Sequence, residues 1–190
     1  ATRLVPDDFA VYGAVAGLCA ILAAVNSWAG EARIAVVGES DAHALLRASG
    51  STVVGISVLV AAAGGIGAAA GHTWGEVALL GAGCALFTGL QQVLTSVVVR
   101  TQRQHLLARG RLVQGLSNAA LIGVLLLAGV PGHLVLTLPW LVSLLLGDLV
   151  LAAGVREQLR VGTPRPADFT LLGREVKAQP LANLLASSVV

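Results

Sequence analysis

The chain has 190 residues, 56% of them hydrophobic and 12% charged, with a formal net charge of +2 and a mean hydropathy of +0.83. A soluble domain carries roughly twice that share of charged residues, so the composition excludes an ordinary water-soluble fold and points to a membrane protein. The basic residues fall in clusters between apolar runs rather than along one face, which argues against nucleic acid as a partner.

A helix needs about twenty residues to cross the hydrocarbon core. Scanned at that length, the sequence predicts five complete spans near 9–29, 51–71, 77–98, 112–130 and 133–154, and the start of a sixth from 179 onward. The runs are unbroken, whereas a barrel strand would alternate over roughly ten residues. The expected fold class is therefore all-α, a polytopic transmembrane helix bundle. The first span carries Cys19 and leads into a loop near 30–50, where EARIAVVGESDAHALLRA mixes charges with Ile34, Val37, Leu45 and Leu46. That mixture predicts an amphipathic helix lying along the interface, anchoring the topology.

The second span ends in AAAGGIGAAAG at 61–71. No strand precedes these glycines and no exposed helix start follows, so they do not make a phosphate loop. The spacing of Gly67 and Gly71 instead predicts close helix packing, with Gly81, Gly83 and Gly89 of the third span in the same role. Along that third span Thr88, Gln92 and Thr95 share a face, with Gln91 beside them. A long loop at 99–111 then holds Arg100, Arg103, Arg109 and Arg111.

The fourth span places Gln114 and Asn118 one turn apart, and the segment from 179 repeats the pattern with Gln179, Asn183 and Ser187. Two readings fit these amides: they line a hydrophilic cavity, or they hold helices together by hydrogen bonds. In the fifth span Pro139 is a candidate point of bending, the alternative being a proline tolerated without any gating role, and Asp148 is an acid deep within a span. An ionisable group there is a candidate proton or cation site, the plainer reading being that it reaches a loop arginine or sits at a hydrated mouth of the bundle.

Counting lysine and arginine fixes an expected orientation. The loops near 30–50, 99–111 and 155–178 hold eleven of the twelve, and the alternate connections HTWGE and VPGH hold none. The three basic loops are expected in the cytoplasm and the chain's start outside. An odd number of spans would then precede it, and the absence of methionine agrees with an interior piece of a longer protein. The expected division is a bundle at 1–178 lacking its first helix, with the next helix beginning at 179–190.

Cys19 and Cys84 show no CxxC spacing, and His43, His72, His105 and His133 form no i, i+4 pair. Neither a disulfide framework nor a metal site is expected. No arrangement of serine, histidine and acid stands out, so neither an enzyme nor a bound cofactor is expected.

The stretch RLVPDDFAVYGAVAGLCAILAAVNSWAGEARIAVVGESDAHALL resembles the early part of polysaccharide flippases of the Wzx kind, in the multidrug/oligosaccharidyl-lipid/polysaccharide exporter superfamily. There a loop similar to R-L-L-x-P-x-D-F-G-x-Y leads into the second helix. A segment similar to E-x-A-I-V-L-x-x-x-D-x-E-A precedes the third, and Arg33 to Val37 with Asp41 to Ala44 stand in its place here. The stretch from Gln91 to Gln114 is similar to the family's fourth-helix end, arginine cluster and fifth-helix start.

The resemblance implies a two-lobed transporter of the bacterial inner membrane, of which this chain would be most of the amino-terminal lobe. It implies transfer of a polyprenyl diphosphate-linked oligosaccharide to the outer leaflet by alternating access. The remaining helices of the same protein and the lipid bilayer would be its partners. Candidate cavity residues are Thr88, Gln91, Gln92, Thr95, Arg100, Gln114, Asn118 and Asn183, with Asp148 the candidate for ion coupling. Arg100, nearest the membrane end of the polar face, is the candidate for phosphate recognition, and the other three arginines anchor topology. The alternatives are a scaffold that binds glycan-assembly enzymes through its basic loops, and a drug or solute exporter of the same superfamily.

Overall fold

A computed structural model describes residues 4–26, 31–160 and 163–173. Six helices run in chain order: α1 (Pro6–Asn26), α2 (Glu31–Ile34), α3 (Glu39–Ala69), α4 (Thr73–Arg100), α5 (Gln104–Leu127) and α6 (Gly132–Gly154). A short helical stretch follows at 166–173, and no strand occurs among the described residues. Five of the helices, all but α2, are long and apolar enough to cross a membrane. The protein is an all-α polytopic bundle, as the composition predicts. Asn183 and the expected sixth span lie outside the described residues.

Three tight turns join the long helices into an up-and-down course. At each, the chain closes the helix end with a backbone bond reaching back five residues: His72 N–H to Gly67 O, Arg103 N–H to Val98 O, and Val130 N–H to Leu125 O. Such a closure needs one residue with positive φ. Gly71 (φ 77°) and Gly129 (φ 76°) supply it at two turns, and Gln102 (φ 57°) at the third. Gly71 therefore serves the turn and not the helix packing its spacing suggests.

The packing between α3 and α4 begins one turn earlier. A Cβ on Gly64 would lie 2.9 Å from both Ala78 Cβ and Leu79 N, and one on Gly67 would meet the indole of Trp74. Lipid tails are as apolar as leucine, so helices in a bilayer associate through close packing rather than through water exclusion. Small residues at this seam let the two backbones approach. The predicted role of Gly81 and Gly83 also holds, since a Cβ on either would strike Leu18 or Leu141.

Helix α4 is the axis of the bundle: it packs against α1, α3 and α6 and touches α2 and α5, whereas α5 leans mainly on α6. In their most apolar windows, 44% of the residues of α4 and α6 are buried against 11% for α1 and α5. The outer helices therefore turn most of their apolar surface outward. Two clusters form the core. One, around Val15, Cys19, Leu22, Cys84 and Ala85, joins α1 to α4. The other gathers Ile34, Leu45, Val93, Val98, Leu106 and Leu151 at the end where the basic residues collect.

That second cluster changes two expected loops. The amphipathic segment before the second span is not one surface helix: it starts with the short α2, and from Glu39 it runs on into the span as the first turns of α3. With 31 residues and a rise of 1.5 Å each, α3 is about 46 Å long, roughly 16 Å more than the hydrocarbon core. The excess is buried against α4, with Ala42, Leu45 and Leu46 in contact with the core. The long loop at 99–111 is likewise only the turn at 101–103, and from Gln104 the chain is already helical.

Candidate functional site

Halfway along α4 the small residues give way to polar ones. Thr88, Gln91, Gln92, Thr95 and Ser96 recur at helical spacing and line a concavity of about 550 Å³. Arg111 of α5 closes one side, and Trp140 and Leu144 of α6 the other. Trp140 is set against Tyr12 of α1, with ring centroids 5.9 Å apart. Four of the predicted cavity residues, Thr88, Gln91, Gln92 and Thr95, are thus brought together on one wall.

What these groups touch bears on the two readings of the stripe, cavity lining and interhelical bonding. Ser96 Oγ donates to Gln92 O on its own helix (3.1 Å), and Gln92 Oε1 is buried with no partner among the described residues. Thr88 Oγ1 lies 3.6 Å from Cys19 Sγ, a weak contact to α1. Polar groups that held the bundle together would be bonded across helices, and this stripe largely is not. It faces the concavity.

The arginine cluster divides differently from expectation. Arg100 does not line the cavity: its Nη1 donates to Ile34 O (2.8 Å) and Val37 O (2.7 Å). The guanidinium satisfies carbonyls left over where α2 ends, and so pins that short helix to α4. Arg103 Nη1 donates to Gly154 O at 2.7 Å, closing the end of α6. Arg109 is exposed. Arg111, expected only as a topology anchor, is the arginine that reaches the polar cavity. Its Nη1 is 3.4 Å from Gln114 Oε1, at the outer limit of a hydrogen bond. The i, i+3 spacing of Arg111 and Gln114 carried this signal, but it was hidden by reading 99–111 as loop.

Gln114 and Asn118 stand outside the cavity lining. Gln114 is buried against Gly147 of α6, where an added Cβ would fall 2.5 Å from its Cγ. Asn118 Oδ1 is buried without a partner among the described residues. Asp148 borders a second, almost wholly apolar pocket of about 360 Å³, walled by residues such as Leu46, Leu90, Leu94 and Leu159. It is 6% exposed, and neither carboxyl oxygen accepts a hydrogen bond from the described residues. Among the described residues it does not bond to a loop arginine.

Two further acids carry connections that sequence reading missed. Asp8 Oδ1 accepts from His133 N–H (2.8 Å) and Oδ2 from Val5 N–H (2.9 Å). One carboxylate thereby caps the start of α6 and ties it to α1, where Pro131 can donate nothing and has no capping side chain. The aspartate of the VPDDF stretch is thus a clamp between helix starts 125 residues apart. Asp168 takes Arg47 Nε (2.7 Å) and Nη2 (3.0 Å) as a fork, and accepts from Arg165 N–H (2.8 Å). Arg47 and the Arg165 amide hold this carboxyl well below the usual carboxylate range, at about 2. The pair fastens the stretch after α6 to α3.

Comparison of the chain with family models, with curated proteins and with solved structures finds no match. What the site can do must therefore be argued from its own chemistry.

Proposed function

We propose that this chain is part of a membrane transporter that moves a lipid-linked oligosaccharide of the polyprenyl diphosphate type across a bacterial inner membrane, in the manner of the Wzx-like flippases. The observation that carries the reading is the polar cavity on α4, walled by hydroxyls and amides and closed by Arg111. A glycan head needs hydroxyl and amide partners to replace water, and a diphosphate suits the multiply donating guanidinium of arginine. The apolar faces that α1 and α5 turn outward leave the isoprenoid tail in lipid. The end rich in arginine would face the cytoplasm, where the positive-inside rule puts it, and the cavity would alternate its access between the two sides.

The test is flux. The intact protein is reconstituted in liposomes with a polyprenyl diphosphate-linked oligosaccharide, and its transfer between leaflets is followed with a membrane-impermeant glycan probe. Transfer is expected, with Arg111→Ala and Gln92→Leu each lowering the rate roughly tenfold, a change of about 1.4 kcal/mol. Protein that is folded and correctly oriented yet moves no lipid-linked glycan would remove the proposal.

A further inference from the structure

Helices α5 and α6 meet at a seam of small residues. Gly110 of α5 faces Leu151 and Gly147 O of α6, and Gly147 in turn receives the side chain of Gln114. The residues that immediately follow the two glycines are Arg111 and Asp148. A guanidinium, a carboxamide and a carboxyl, complementary in charge and bonding, are thus carried on or next to the residues of one seam, Arg111 lining the polar cavity and Asp148 the apolar pocket. Among the described residues they are not joined: Gln114 Nε2 and both Asp148 oxygens are buried without a hydrogen-bond partner there, and Arg111 Nη1 lies 3.4 Å from Gln114 Oε1.

This arrangement is specific about what Asp148 can hold. An ionised carboxylate buried with no donor carries a penalty of several kcal/mol, whereas a neutral carboxyl avoids most of it. The surroundings contributed by α3, α4 and the stretch after α6, among them Leu46, Gly50, Leu90 and Leu159, are uncharged. On α5 the charged residue next to the seam glycine Gly110 is Arg111. A metal cation would need several oxygen ligands and would be repelled by that arginine. A proton needs one oxygen.

We propose that Asp148 is an exchangeable proton site, neutral in the arrangement seen here and paired with Arg111 and Gln114 when the α5–α6 seam shifts. On that shift the carboxyl O–H bond breaks and the proton passes to water that the opened seam admits. The carboxylate left behind is held by the guanidinium and by Gln114 Nε2. Arg111 stays charged throughout, so the change of charge is confined to Asp148. Gly147 and Gly110 permit the movement because no side chain projects from either between the two backbones. Since Arg111 also closes the polar cavity, gain or loss of this proton moves one of its walls. The inference concerns the seam and stands whatever the cavity carries.

The test uses the intact protein in lipid nanodiscs and pH-difference infrared spectroscopy of the protonated carboxyl stretch. A reversible band that titrates within roughly pH 4 to 9 is expected in the wild type, absent in Asp148→Asn and present at a displaced frequency in Asp148→Glu. Arg111→Gln is expected to move the midpoint by about one pH unit or more, and Arg109→Gln to leave it in place. A second measurement needs no variant. Dicyclohexylcarbodiimide, an apolar reagent for protonated carboxyls, should label the peptide containing Asp148, less so as the pH rises. A band that survives Asp148→Asn, a midpoint indifferent to Arg111→Gln, or absence of label at Asp148 at every pH would each overturn the assignment.

Discussion

Gly64 and Gly65 are neighbours in α3, yet alanine at the two positions should change stability in opposite directions. At Gly64 a Cβ would lie 2.9 Å from Ala78 Cβ, 2.9 Å from Leu79 N and 3.0 Å from Gly75 O. Two of these atoms belong to the α4 backbone, so no side-chain rotation relieves the clash and the helices must separate. Overpacking of this kind costs about 1–3 kcal/mol, and the better helix propensity of alanine returns about 0.5–1 kcal/mol. The expected net loss for Gly64→Ala is about 1–2 kcal/mol. At Gly65 nothing lies within 4 Å of the added carbon, so only the propensity remains and Gly65→Ala should gain about 0.5–1 kcal/mol. The assay is reversible unfolding of the purified protein in mixed micelles on titration with a denaturing detergent, followed by circular dichroism. Equal shifts at the two sites, or a Gly64→Ala protein as stable as the wild type, would refute a backbone-limited seam between α3 and α4.

Asp168 carries a prediction about pH. Its folded pKa of about 2 lies below the ordinary value of about 3.9, so the clasp to Arg47 is fully present above the ordinary value. It is lost as the pH falls through the folded one. Amide exchange of residues 166–173, corrected for its intrinsic pH dependence, should rise between about pH 4 and pH 2, and Asp168→Asn should show the raised exchange already at neutral pH. Arg100→Ala should free the carbonyls of Ile34 and Val37 and destabilise the protein by about 1–3 kcal/mol, with faster exchange at 31–37, while leaving the polar cavity open. Asp8→Ala should remove the cap of α6 and cost about 0.5–2 kcal/mol in the same micelle titration. Gln102→Gly should be neutral or stabilising, because an L-residue in the left-handed region carries a penalty of about 1–2 kcal/mol that glycine does not.

Much of the chemistry of the site was legible in the residues, but not its assembly. The i, i+4, i+7 spacing of Thr88, Gln92 and Thr95 placed a polar face on one helix, since a helix of fixed pitch converts spacing into direction. Whether that face met a neighbour or open space was not contained in the spacing. Arg100 and Arg111 show the limit most clearly. Both are arginines beside a span, and only the fold of α2 beneath Arg100 consumes its donors, whereas the start of α5 at Gln104 turns Arg111 toward the cavity. The Gly64–Gly75 contact and the Asp8–His133 clamp likewise join residues whose relation depends on how helices are laid side by side.

By itself the sequence determined the membrane class, the helical spans and the clustering of positive charge at alternate connections. These follow from local quantities: the apolar length of a run, the helical repeat and the cost of moving charge into hydrocarbon. Tertiary structure alone decided that a loop was the start of α5, that Gly71 makes a turn while Gly64 makes a seam, and that Asp148 is buried with no hydrogen-bond partner among the described residues. Those outcomes rest on contacts between distant residues, where close packing and the pairing of leftover donors and acceptors choose among arrangements that local pattern leaves equal.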